Sequence, residues 1–97
     1  MSKITLKGYI VVSATDLKAV AEELPNHIRF TREEVGCLTF DVVQSSETPY
    51  RFDVYEEFVD QEAFDHHQAR VRSSHWGRVA ANVSRHYTIT QEEAVKS

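Results

Sequence analysis

Residues 51–58 read RFDVYEEF. Phe52, Val54, Glu56 and Phe58 alternate with Arg51, Asp53, Tyr55 and Glu57, the period-two pattern of a strand with one buried face. Glu56 breaks the pattern. It stands in line with three apolar residues, although Glu57 beside it already occupies the polar face.

The flanks give this strand, about 50–59, its context. Upstream, Leu38, Phe40 and Val42 alternate against Cys37, Thr39 and Asp41, and QSSETP (44–49) is a loop. Downstream, Asp60 is a good N-cap for a helix that places Ala63, Phe64, His67 and Val71 on one face. Ser73 and Ser74 interrupt that helix, and a short second helix is expected over about 75–82. Arg85 to Thr90 reads as the last strand, with Tyr87 and Ile89 alternating.

At the other end, Ile4, Leu6, Gly8, Ile10 and Val12 alternate over about 3–13. Thr15 or Asp16 can cap a helix carrying Leu17, Val20, Leu24 and Ile28. Pro25 lacks an N–H and clashes with the carbonyl of Ala21, so a kink or a break is expected there. Gly36 closes the segment as a residue tolerant of positive φ. The order β-α-β-β-α-β is ferredoxin-like, an α+β antiparallel sheet with helices on one face. Tyr9, Val11, Val43, Tyr55 and Val59 are candidates for the uncovered face, which a second subunit's sheet would bury.

The 97 residues, 41% hydrophobic and 27% charged, fit one domain over 1–97, with a core of about 3–90 and a short tail over 91–97. No apolar run reaches about 18 residues, so no membrane span is expected. The N-terminus alternates like a strand and lacks the features of a signal peptide. A lone cysteine, Cys37, fits a reducing cytoplasmic setting. The net charge of −4 argues against a nucleic-acid partner. Residues 1–65 carry 13 acidic and six basic side chains, whereas 66–91 carry Arg70, Arg72, Arg78 and Arg85 and no acid. That basic stretch is either a solvated face or an attraction for an anionic ligand.

Glu56 is the first candidate for chemistry. Burial among Phe52, Val54 and Phe58 would raise its pKa toward the range of a general acid or base. The alternative is a carboxylate held by a backbone donor or an arginine. His67 shares a helix face with Phe64 and Val71 and should look down near Glu56, whereas His66 points away. Trp76 packs beneath the short helix or walls a flat ligand. His66, His67 and His75 match no metal-ligand spacing, the three glycines make no phosphate loop, and no flavin or nicotinamide fingerprint appears. Ser73, Ser74 and His75 do not form a nucleophile–base pair, and Cys37 reads as an inert thiol.

EEVGCLTFDVV, RFDVYEEFVDQEAFDHHQAR and SSHWG together resemble the antibiotic biosynthesis monooxygenase family, including its small quinol monooxygenases. An acid–Pro–Gly–Cys–Leu turn falls on Glu34 to Leu38, with Val35 replacing proline. An aromatic–Glu–x–aromatic strand end falls on Tyr55 to Phe58, and Ala-Leu-x-x-His falls on Ala63 to His67. Many members carry a second histidine five residues on, where this chain has Arg72. Heme-degrading relatives place a Trp before a His, the reverse of His67 and Trp76 here.

The resemblance implies a homodimer with two sheets packed face to face, a dimeric α/β barrel, and a pocket between sheet and helices in each subunit. It implies oxygenation of a small quinol-like aromatic by O₂ without flavin, heme or metal. His67 and Glu56 would supply the base and the proton partner. Phe52, Phe58, Trp76 and Tyr87 would wall the substrate, and Arg72 would contact it. Isomerisation of a small phosphorylated autoinducer-like sugar needs the same acid/base pair, together with Arg70, Arg72 or Arg78 turned into the pocket. A non-catalytic ligand-binding or assembly module is the third reading.

Overall fold

Strand pairing follows the alternation just described. A computed structural model describes residues 2–93. It contains β1 (Ser2–Val11), α1 (Leu17–Arg32), β2 (Cys37–Gln44), β3 (Arg51–Phe58), α2 (Gln61–Arg72), α3 (His75–Val79) and β4 (Ser84–Glu93). The four strands form one antiparallel sheet in the order β2-β3-β1-β4. This is the ferredoxin-like α+β arrangement.

Register decides which side chains share a face. Ile4, Leu6 and Ile10 pair with Phe58, Glu56 and Phe52, and Phe40 pairs with Glu56 from the other side. Their apolar members are buried under Val20 and Leu24 of α1, Phe64 of α2 and Trp76 of α3. Apolar area buried in this layer stabilises the fold by about 25 cal/mol per Å². Helices α1 and α2 pack on β1, β2 and β3. On the same face of β4, Tyr87 and Ile89 remain 37% and 52% exposed.

The opposite face carries Tyr9, Val11, Val43 and Tyr55, as expected, among charged partners. Glu57 accepts from Lys3 Nζ at 3.0 Å, Thr39 Oγ1 at 2.7 Å and Tyr55 Oη at 2.8 Å. These three hydrogen bonds lower its pKa to about 2. The Tyr9 ring is stacked on His86 at 4.6 Å and lies under the Arg51 guanidinium at 3.9 Å. A groove of about 390 Å³ runs along this face, lined by Lys7, Tyr9, Asp41, Val43, Arg51 and Tyr55 among others.

Several expectations are corrected. Pro25 does not divide α1, which is one 16-residue helix. The buried stripe of Val20, Leu24, His27 and Thr31 continues on both sides of it, and this packing holds the helix together. Asp16 is at the N-cap position but makes no side-chain cap bond. β1 stops at Val11, and Val12 turns its N–H to the Tyr50 carbonyl instead, at 2.8 Å.

In β2, Leu38 does not line up with Phe40. The register shifts between Cys37 and Thr39, so Cys37 pairs with Phe58 and Leu38 is left 55% exposed. Val59 has left the strand, and its side chain sits against Gly36. β4 continues to Glu93, so the expected tail from 91 begins as strand. Residues 94–97 lie outside the described residues. Among the described residues no helix is long and apolar enough to cross a membrane.

Candidate active site

Three elements bring the site together. Asp60 caps α2 by accepting from the Ala63 N–H at 2.8 Å. That fixes the start of the helix and aims Phe64 and His67, one turn apart, at the sheet. β3 presents Glu56 beneath them. The turn after α1 brings Glu34 to the same place. Its chain direction depends on Gly36, which sits at φ +91°, and a Cβ there would come within 2.6 Å of Ala63 Cβ.

His67 is the centre. It is 3% exposed, and its ring lies 4.9 Å from Phe58 and 5.7 Å from Phe40 between ring centroids. Nδ1 is 2.7 Å from Glu34 Oε2. A carboxylate only accepts, so this contact places the proton on Nδ1 and leaves Nε2 as the lone-pair nitrogen. Nε2 faces Glu56 Oε1 at 3.8 Å, longer than a hydrogen bond. Burial lowers the pKa of His67, and its bond to Glu34 opposes that shift.

Glu56 makes no hydrogen bond among the described residues, and no arginine is paired with it. Burial, followed by the nearby Glu34, pushes its pKa up to about 8. At neutral pH it is a carboxylic acid with a proton to give. The Glu34–His67–Glu56 row therefore holds an oriented base and an acid side by side. Arg70 fixes the far end, with Nε 3.2 Å from Glu34 Oε1 and Nη2 donating to Thr31 Oγ1 at 3.0 Å.

The structure brings His67 and Glu56 together. Phe58 borders them directly. Trp76 is one ring further out, stacked on His27, which lies between it and His67. Tyr87 approaches from β4, across Gly8, and burial beside Glu56 raises its phenol to about 12. Gly8 leaves that part of the floor without a side chain, because a Cβ there would collide with the His86 carbonyl. Phe52 lies four residues along β3 from Glu56, inside the core. Arg72 is exposed in the last turn of α2 and does not join the cluster. Cys37 is half-buried, and burial raises its thiol pKa.

Of the arginines a phosphate would need, Arg70 turns inward but is taken up by Glu34 and Thr31, while Arg72 and Arg78 are exposed. The sequence reading gave His27 no role, placed Glu34 only in a turn motif and considered Arg70 only as a phosphate ligand. The signals were local: His27 falls three residues after Leu24 and four before Thr31, on the buried stripe of α1. Glu34 stands two residues before the positive-φ glycine.

The model of one family, antibiotic biosynthesis monooxygenase, matches residues 4–81. No curated protein sequence matches the chain. Among solved structures, an antibiotic biosynthesis monooxygenase-like protein of Nitrosomonas europaea is 20% identical, with a TM-score of 0.73 over 99% of this chain and 100% of its own. A Pseudomonas aeruginosa protein is 23% identical, with a TM-score of 0.72 over 99% of this chain and 97% of its own. A Mycobacterium tuberculosis protein is 19% identical, with a TM-score of 0.67 over 100% of this chain and 98% of its own. The chain belongs to the antibiotic biosynthesis monooxygenase family.

Proposed function

We propose that this member of the antibiotic biosynthesis monooxygenase family oxidises a small quinol-like aromatic with O₂, using acid/base activation of the substrate. The observation that carries the reading is His67, its Nδ1 held by Glu34 and its free Nε2 beside the protonated Glu56.

The steps balance. Nε2 takes the proton of one quinol hydroxyl, which makes the ring electron-rich enough to give an electron to O₂. Recombination forms a carbon–oxygen bond and a ring hydroperoxide. Its O–O bond breaks, a carbonyl forms at the ring carbon, and water leaves. The substrate loses four electrons and O₂ gains four. His67 returns the quinol proton to the peroxide, Glu56 gives its proton to the departing oxygen, and the C–H proton released from the ring carbon as the carbonyl forms restores Glu56, so both groups are ready for the next turnover. Phe40 and Phe58 keep the pair dry, which protects the hydroperoxide from bulk water.

The working unit in this proposal is a homodimer. A second copy packs its sheet over the face bearing Tyr9, Val11, Val43 and Tyr55. Oxygen uptake with a panel of quinols tests the reaction. The three arginines named for the phosphosugar isomerase reading do not support it, since Arg70 is engaged by Glu34 and Thr31, and Arg72 and Arg78 are exposed.

A further inference from the structure

One buried polar group plays no part in the Glu34–His67–Glu56 row. His27 on α1 is 5% exposed. Its ring stacks on the Trp76 indole at 4.4 Å with the planes 4° apart, and meets Phe40 edge-on at 5.2 Å. Its centroid is 6.1 Å from that of His67. Nδ1 is buried and has no hydrogen-bond partner among the described residues. Burial, then His67 and Arg70, lowers its pKa to about 3. The ring is therefore neutral, with one N–H and one lone pair.

A phenyl ring at this position would stack on Trp76 as well, without burying an unpaired nitrogen. The imidazole, its centroid 6.1 Å from that of the base, keeps a buried polar atom that no described residue satisfies. We propose that His27 is a substrate-positioning residue whose Nδ1 hydrogen-bonds a second oxygen of the aromatic ring while His67 and Glu56 engage the first. This rests on the quinol reading above. A neutral imidazole suits both ends of that reaction, because by exchanging tautomers it accepts from a quinol hydroxyl and donates to a quinone carbonyl.

The test compares hydroquinone with 4-methylphenol, which has the same outline but one hydroxyl replaced by a methyl group. Binding is followed without oxygen through the emission of Trp76, the only tryptophan of the chain. A neutral hydrogen bond corresponds to about tenfold in affinity. His27→Phe should lower the preference for hydroquinone over 4-methylphenol by about tenfold, and His27→Gln should restore part of it. If His27→Phe does not fold, His27→Leu and His27→Gln supply the same comparison.

A preference unchanged in the variants overturns the proposal and leaves an ordered water as the partner of Nδ1. Failure of both ligands to bind the wild-type protein also overturns it. Discrimination that depends on His27, with no oxygen consumed in turnover, upholds this inference and removes the monooxygenase reading instead.

Discussion

Glu34 Oε2 lies 2.7 Å from His67 Nδ1, although the two residues are 33 positions apart in sequence and come from different elements. The contact assigns the imidazole its tautomer and points the free nitrogen at Glu56. Glu34→Gln keeps the shape but no longer obliges Nδ1 to be the protonated nitrogen. The expected result is a fall in kcat of about a hundredfold or more with a much smaller change in KM. Steady-state kinetics decide this, and a kcat within a few-fold of wild type would remove Glu34 from the mechanism.

Glu56 also has a consequence for stability. Its folded pKa of about 8 is above its unfolded value, so the folded state holds the proton more tightly. The resulting stability is complete below about pH 4.5 and is lost as pH rises toward 8. His27 acts in the opposite sense. Its folded pKa of about 3 makes stability rise with pH until the unfolded imidazole has titrated, near pH 6.5. Between about pH 6.5 and 8, Glu56 therefore acts without opposition from His27, and stability should fall by about 1 kcal/mol per pH unit. Urea unfolding across that range should show the slope in the wild type and its loss in Glu56→Gln.

Gly36 holds the turn that delivers Glu34. Gly36→Ala places a Cβ against Ala63 and Val59 at a φ that L-residues rarely adopt. A loss of about 1–3 kcal/mol is expected. Thermal unfolding checks it, and an unchanged midpoint would mean that this turn relaxes freely.

The open face of the sheet bears on assembly. Val43 is 62% exposed there, near Tyr9 and Tyr55. Val43→Asp would bury an unpaired charge between two sheets, a cost of several kcal/mol. Sedimentation should show a dimer for the wild type and a monomer for the variant. A wild-type monomer, or a variant that still dimerises, would place the interface elsewhere.

Much of this was legible in sequence because period two and period 3.6 report burial directly. RFDVYEEF gave the faces of β3, and the spacing from Phe64 gave His67. Pro25 does not break the helix because tertiary packing of Val20, Leu24 and His27 outweighs one missing hydrogen bond. Leu38 misled because a single bulge residue reverses the alternation. Glu34 had no periodic signature, since its place beside His67 is set by a turn and by contacts across 33 residues. His27 shares the buried stripe of α1 with Val20 and Leu24, and its unpaired nitrogen separates it from a core ring.

Oxygen consumption by the wild type, His67→Ala and Glu56→Gln, measured with a panel of small quinols in chelated, flavin-free buffer, tests the central claim most directly. The expected result is one O₂ per quinol for the wild type and a loss of about a hundredfold or more in each variant, with the fold intact. No uptake with any quinol, or wild-type rates in either variant, would contradict the account.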